Sequence, residues 1–372
     1  MGNVSKVKII DAKPPGYLEQ ASQLASLASL AQLDGKLGFG VHFGPIMIRG
    51  DWDDAHGWGD FSVQPLEEIR LHPAAAVIQY SQTIFEGMKA FHGVDDEIRL
   101  FRPEFHAARF ARSAERVCLP PVPQDLFIEL AARASWENRA FIPRHPGTSL
   151  YVRPTLYGRE AFLGVRPSRQ ATLIFLVSPV GTYFEKGAKP LKILIEKEDV
   201  RAARGGIGAA KTGANYVASL RAAERAKKQG YDQVLWLDGN DHDHIEEVGT
   251  MNIFFSMGGK VITPKLTDSI LPGCTRDAVI QILKDWKIPV EEKPVSIQDL
   301  AAANKAGELE AIFGTGTAAI IAPVSELSTA DQKLTLRPSG KGDLCERLYN
   351  EIYGTQIGKV ADRHEWIRKV TA

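Results

Sequence analysis

The sequence predicts a mixed α/β fold, α+β in its first half, divided into two domains. Three observations predict it. The chain has 372 residues, 44% of them hydrophobic and 24% charged, whereas a single domain ordinarily takes about 100 to 200 residues. The first half interleaves short β-rich runs with helical patterns. Gly181 to Pro190 is then dense in Gly, Lys and Pro, which places a linker there, and a second series of strands and helices follows. The boundaries read as 1–185 for the first domain, 186–197 for the linker and 198–372 for the second.

Taken in order, Pro14-Pro15 marks the boundary of a helix over Gly16 to Leu33, where Leu and Ala recur at helical spacing, so residues 1–36 form a peripheral N-terminal part. Runs rich in β-branched and aromatic residues predict strands at Ile46 to Ile48, Ala74 to Tyr80, Ile98 to Phe101, Ser149 to Leu156 and Thr172 to Val177. Between them lie helices over Glu104 to Arg116 and Gln124 to Asn138, the second opened by Pro121 and Pro123. The second domain reads as strands at Leu191 to Ile195, Gln233 to Leu237, Asn252 to Ser256, Lys260 to Ile262 and Leu309 to Phe313. Its helices lie near Tyr216 to Gln229, Arg276 to Trp286 and Ile297 to Asn304.

Composition narrows the function. Lys plus Arg and Asp plus Glu both number 45, so no global field draws the chain to nucleic acid or an anionic membrane, and small-molecule chemistry fits better. The longest apolar runs, such as Ala171 to Val177, fall far short of the ~20 residues that span a bilayer. With no apolar signal core at the start, the expected location is the cytoplasm. The opening Met1-Gly2-Asn3-Val4-Ser5-Lys6 has Lys where a myristoylation site wants Ser or Thr. Cys118, Cys274 and Cys345 lack ligand spacing, so neither a disulfide framework nor a metal site is expected.

Three motifs stand out. In Arg204-Gly205-Gly206-Ile207-Gly208-Ala209-Ala210-Lys211-Thr212-Gly213-Ala214-Asn215-Tyr216, small residues around one lysine allow close approach to the backbone, as a bound cofactor requires. The same letters nearly spell a phosphate loop, but Ala210 replaces its second glycine. The charged stretch Glu196 to Arg204 also separates the glycines from the strand they should follow. A lysine in a glycine-rich loop is otherwise most often a surface turn.

Glu246-Glu247-Val248-Gly249-Thr250-Met251-Asn252 leads into the apolar run Ile253-Phe254-Phe255. In an extended chain only one of the two acids can face inward, and burial statistics alone favour both being exposed. Phe313-Gly314-Thr315-Gly316-Thr317-Ala318 follows a strand and superficially matches a dinucleotide fingerprint, but Ala322-Pro323 soon interrupts. A turn presenting N–H groups to an anion is the better functional reading, and a plain structural turn suits the same residues. Arg109, Arg112 and Arg116 form one helical stripe, ordinarily a solvated face. Tyr80, Phe85, Tyr151, Arg153 and Tyr183 stand in or beside apolar strands, where aromatics mostly fill core.

Seven segments occur in a telling order: Phe85-Glu86-Gly87-Met88-Lys89-Ala90, Leu100-Phe101-Arg102-Pro103, Gly147-Thr148-Ser149-Leu150-Tyr151-Val152-Arg153-Pro154, the Lys211 loop, Glu247-Val248-Gly249-Thr250-Met251-Asn252, Leu271-Pro272-Gly273 and Phe313-Gly314-Thr315-Gly316-Thr317-Ala318. From about Leu37 to Trp366 the chain thereby resembles the branched-chain aminotransferases, fold-type IV pyridoxal-phosphate enzymes. That resemblance implies the two-domain fold of the D-amino-acid aminotransferases, a small α/β domain and a large cofactor-binding one, with the cofactor between them.

The resemblance implies that Lys211 holds pyridoxal 5'-phosphate as a Schiff base, that Tyr216 hydrogen-bonds its phenolic oxygen and that Glu247 pairs with its pyridine nitrogen. An amine condenses with an aldehyde only when unprotonated, a state that desolvation favours, and a protonated ring delocalises the electrons left on Cα. Arg109 is implied to bind the phosphate, with Thr317 and the N–H groups of Cys274 and Thr275 at a helix start, where anions are favoured. Thr250 is implied to flank the cofactor, and Ala318 to belong to a turn that would bind the substrate carboxylate.

The implied side-chain pocket is Tyr80, Phe85, Tyr151, Val165 and Tyr183, with Phe39 a further member. Arg153 is its cation for the γ-carboxylate of glutamate, which an arginine can bind through two donors. The expected reaction is ping-pong transamination between L-leucine, L-isoleucine or L-valine and 2-oxoglutarate, in a homodimer. A D-amino-acid aminotransferase or an aminodeoxychorismate lyase of the same fold is the alternative, and a nucleotide-binding protein using Gly205 to Thr212 the distant one. Animal members carry a C-x-x-C pair where this chain has Ala319 and Ala322, so redox control through that pair is not expected.

Overall fold

The computed structural model describes residues 7–17, 37–181, 189–340 and 342–371. The helix expected over Gly16 to Leu33 and Tyr183 therefore lie outside the described residues, the helix in all but its first two positions. The chain forms two compact units, one of residues 1–185, 210–213 and 354–372, the other of residues 186–209 and 214–353.

The first unit is built on a ten-stranded sheet. Its strands are β1 (Ile9–Asp11), β2 (Ile46–Asp53), β3 (Gly57–Trp58), β4 (Phe61–Pro65), β5 (Thr83–Phe85), β6 (Met88–His92), β7 (Ile98–Phe101), β8 (Ser149–Gly158) and β9 (Gln170–Val180), while the late strand Ile367–Val370 closes the edge against β7. The path runs β1-β4-β2-β9-β8-β6-β7, with β3 on β2 and β5 on β8. Among the described residues it also holds the α-helices α1 (Ala76–Tyr80), α2 (Pro103–Arg116) and α3 (Gln124–Glu137). The two long helices bury Phe110 and Phe127 in contact with each other, and Phe127 meets Phe175 of β9, with ring centroids 4.9 and 5.5 Å apart.

The second unit holds a nine-stranded sheet: β10 (Leu191–Ile195), β11 (Gln233–Leu237), β12 (Ile245–Val248), β13 (Met251–Met257), β14 (Lys260–Thr263), β15 (Val290–Glu292), β16 (Leu309–Gly316), β17 (Ile320–Ser328) and β18 (Thr335–Leu336). The order is β12-β11-β10-β17-β16-β13-β14-β15, with β18 on β17. Phe254 and Phe313 stack at 5.2 Å across β13 and β16, and Trp236 of β11 and Phe255 of β13 are also fully buried. Helices α4 (Gly213–Lys228), α5 (Cys274–Asp285), α6 (Ile297–Ala306) and α7 (Leu344–Gln356) follow in the chain. Ser296 and Asp299 close a reciprocal capping box at the start of α6. No helix among the described residues is long and apolar enough to cross a membrane.

One expectation needs correction. Ala74 to Tyr80 is no strand: Ala76–Tyr80 is the short helix α1, closed by Ser81 in the left-handed conformation. Its Val, Ile and Tyr suggest a strand, but the preceding run of alanines has the highest helix propensity. Leu191–Ile195, expected as a strand, is β10, a central strand parallel to both β11 and β17.

Candidate active site

In the first unit the Lys211 segment is tied down by its backbone. The Phe85 N–H donates to the Lys211 carbonyl at 2.9 Å, and the Lys211 N–H donates to Ser113 Oγ on α2 at 2.9 Å. Buried Thr212 donates its hydroxyl to the Thr83 carbonyl at 2.7 Å. The lysine thus stands on a fixed base beside β5, and its Nζ lies 4.8 Å from the centroid of the Phe85 ring.

The same ring faces a second cation. The Arg153 guanidinium lies 4.6 Å from the Phe85 centroid and 5.1 Å from that of Tyr151, and it donates to the Tyr151 hydroxyl at 3.0 Å. Arg153 Nε is buried and finds no hydrogen-bond partner among the described residues. Phe39 packs edge-on against Tyr151 at 4.9 Å. Tyr151 keeps this place because position 87 is glycine: a Cβ there would overlap the tyrosine hydroxyl. Four of the expected pocket residues, Phe39, Phe85, Tyr151 and Arg153, therefore form one contiguous cluster. Tyr80 and Val165 are instead exposed, Val165 at 91%, and the Tyr80 hydroxyl donates to the Leu163 carbonyl.

The arginine stripe divides. Arg112 and Arg116 are exposed, but Arg109 is buried on the α2 face that carries His106, Phe110 and Ser113, which corrects the solvated-face reading for that residue. Its guanidinium clamps Glu86 through two bonds, Nε to Oε1 at 2.6 Å and one terminal nitrogen to Oε2 at 2.8 Å.

In the second unit both Glu246 and Glu247 are buried, contrary to the expectation that one or both face solvent. Alternation does send them to opposite faces of β12, but neither face meets water. Glu247 accepts from the Leu271 N–H at 2.9 Å and from the Asn252 amide at 3.2 Å. Arg201 lies 2.8 Å from its other oxygen, an ion pair rather than an aligned hydrogen bond. Glu246 receives the Ser269 hydroxyl.

The remaining expected residues sit at turns and helix starts. Thr250 is exposed in the turn joining β12 to β13, Cys274 and Thr275 open α5, and Tyr216 lies in the first turn of α4. Thr317 and Ala318 form the turn of the β16–β17 hairpin, an antiparallel pair that excludes the strand-to-helix geometry of a dinucleotide fingerprint. In the glycine loop, Gly208 permits contact with the backbone of Ser269, which a Cβ would overlap.

No motif assigns a role to Glu86, Ser113 or Arg201, which contact Arg109, Lys211 and Glu247, nor to His106 and Ser269, which contact Glu86 and Glu246. Glu86 stands within one of the telling segments and Arg201 within the charged stretch before the glycine loop, but polar letters carry no sign of their partners.

The family model described as amino-transferase class IV matches residues 83–327. Branched-chain-amino-acid aminotransferase 2 of Bacillus subtilis is 43% identical over 337 residues, covering 91% of this chain and 93% of its own. The chain belongs to the branched-chain-amino-acid aminotransferases of class IV. Among solved structures of these aminotransferases, that of the Escherichia coli enzyme superposes with a TM-score of 0.71 at 26% identity, covering 87% of this chain and 99% of that one. The T.th. branched-chain amino acid aminotransferase complexed with N-(5'-phosphopyridoxyl)-L-glutamate gives 0.70 at 26% identity, with 88% and 99% covered. The fold is thus fold-type IV.

Proposed function

We propose that this aminotransferase moves the amino group reversibly between L-leucine, L-isoleucine or L-valine and 2-oxoglutarate, in two half-reactions at one set of residues. The observation that carries this reading is the cluster around Phe85. Phe39, Phe85 and Tyr151 supply apolar faces that suit a branched aliphatic side chain. Arg153, with a buried Nε lacking a partner among the described residues, supplies the donors that a γ-carboxylate needs. One pocket can therefore take both substrates, and the glutamate adduct of the T.th. relative agrees with this.

The residues suit pyridoxal 5'-phosphate. Buried Arg109, the hydroxyl of Thr317 and the first N–H groups of α5 at Cys274 and Thr275 are donors suited to its phosphate. Glu247 would face the pyridine nitrogen, Tyr216 the phenolic oxygen, and Thr250 would flank the ring. When bound, the cofactor supplies an aldehyde that accepts an amine and a ring that delocalises the electrons left on Cα. Lys211 Nζ would act as the base that removes the substrate Cα proton and delivers it to the cofactor's aldehyde carbon on the other side of the shared nitrogen. Arg153 and the turn at Ala318 orient the substrate, and Phe39, Phe85 and Tyr151 exclude water from the reacting carbon.

We also propose a homodimer in the cytoplasm, where free amino acids and 2-oxo acids are found. Ile78, Tyr80, Phe162, Leu163 and Val165 form an exposed apolar group in the first unit, tied together by the Tyr80–Leu163 hydrogen bond. A second copy would cover it.

The test is the visible spectrum of the holoenzyme, recorded after L-leucine and again after 2-oxoglutarate. Loss of the yellow band with the first and its return with the second is expected. A band that ignores L-leucine but responds to D-alanine would replace the reading with a D-amino-acid one. Lys211→Ala should lower turnover by at least about a thousandfold, and substantial residual transamination would remove Lys211 from its role.

A further inference from the structure

Arg109 is held by a group to which the proposed reaction gives no task. Glu86, between β5 and β6, is completely buried, and its partners His106 and Arg109 are 1% and 3% exposed. Its own N–H donates to the Pro154 carbonyl of β8 at 2.9 Å, which fixes the residue to the sheet rather than to the helix carrying the arginine. One carboxylate oxygen accepts from Arg109 Nε at 2.6 Å. The other accepts from a terminal nitrogen of Arg109 at 2.8 Å and from the Gly87 N–H at 3.1 Å, and faces His106 Nδ1 at 2.7 Å.

This geometry exceeds what compensation of charge requires. A single contact would relieve a buried arginine, whereas two parallel bonds along one edge of a planar guanidinium set both its plane and the direction of its opposite edge. His106, one helical turn before Arg109 on α2, braces the carboxylate from the side. Burial pushes the Glu86 carboxyl up, but the charges of Arg109 and His106 and their hydrogen bonds outweigh it and hold the group well below the usual carboxylate range. The clamp therefore stays ionised wherever the enzyme works.

We propose that Glu86, braced by His106, is a positioning residue that aims the Arg109 guanidinium at a phosphate monoester and so sets the preference for the phosphorylated cofactor over its dephosphorylated form. The proposal rests on the reading that Arg109 holds the cofactor phosphate. Glu86 itself touches no reacting atom. Its effect is on the phosphate alone, so its loss weakens binding of pyridoxal 5'-phosphate and leaves binding of pyridoxal, which lacks the phosphate, nearly as it was.

The test measures both affinities, by absorbance titration of the full chain freed of cofactor, for the parent protein and for Glu86→Gln, His106→Gln and Arg109→Lys. Glu86→Gln preserves shape but replaces one acceptor by an amide donor facing Arg109. The ratio of the two affinities is expected to fall about tenfold in it, by a few-fold in His106→Gln and most in Arg109→Lys. An equal loss for both compounds in Glu86→Gln would make the residue merely structural and overturn the proposal. An unchanged ratio there, beside a lowered one in Arg109→Lys, would overturn it while leaving the Arg109 reading intact. An unchanged ratio in Arg109→Lys as well would remove the reading on which it rests. If Glu86→Gln does not fold, His106→Gln decides: a lowered ratio supports the proposal and an unchanged one overturns it.

Discussion

Glu86 in the first unit and Glu246 in the second are both buried carboxylates next to a residue of the candidate active site, yet their surroundings drive them in opposite directions. Glu86 is paired with both Arg109 and His106, and these partners hold it ionised. At the other place two adjacent acids share one arginine. Arg201, the Leu271 N–H and the Asn252 amide all go to Glu247. Glu246 is left with the Ser269 hydroxyl, and one of its oxygens is buried with no hydrogen-bond partner among the described residues. Burial first of all, with Asp238 and Glu247 adding repulsion, raises its pKa to about 7, against the pull of Ser269 and Arg201. Burial alone therefore does not decide protonation; the number of donors left over after the neighbour has been served does.

The comparison breaks most readily at Glu86. Removing its charge takes the carboxylate partner from buried Arg109, and breaking a buried ion pair typically costs about 3 to 5 kcal/mol. Glu86→Gln should lower the midpoint of urea unfolding at every pH from 6 to 8, and a midpoint equal to the parent's would show that the clamp carries no strain of charge.

The same substitution at Glu246 should act with the opposite sign. A carboxyl with a folded pKa of about 7 and an ordinary value of 4.5 binds more protons folded than unfolded between those values. Its contribution is fully present below pH 4.5 and is lost as pH rises through 7, amounting to roughly 3 kcal/mol. Glu246→Gln should flatten that part of the stability profile, so that the variant gains on the parent steadily from pH 5 to 8. A parallel pair of profiles would contradict the assignment.

A smaller change sharpens the point. Ser269→Ala removes the hydroxyl donor that Glu246 receives, at a cost of about 1 kcal/mol at pH 8, and should move the midpoint of the pH-dependent loss upward. A downward shift would mean that Ser269 does not favour the ionised form.

Much of the chain's local structure is legible in its letters. Strands Ile98–Phe101, Leu191–Ile195 and Gln233–Leu237 fall where the β-branched and aromatic runs place them, and α2 and α3 start within a residue of their expected positions. Elements were lost where a local cue misled. Pro323 reads as an interruption, yet it lies inside β17. Strand β10 starts opposite Val324, one residue beyond, so the N–H that proline lacks meets no ladder on that side. Strands β5 and β6, separated by only two residues, are too short to give a period.

The sequence by itself determined the order of motifs, and with it the family and the fold, because close approach and turn geometry restrict which residues stand at positions such as Gly87 and Gly208. Only the tertiary structure decided which polar residues lose their water and which partners they then meet. Arg109 and Arg112 are indistinguishable as letters on one helix, and so are Glu246 and Glu247 as neighbours on one strand. The difference between them comes from contacts with residues distant in the chain, such as Glu86, Arg201, Ser269 and Leu271. Desolvation and pairing act through space, and a carboxylate's charge is settled by donors that its own segment does not contain.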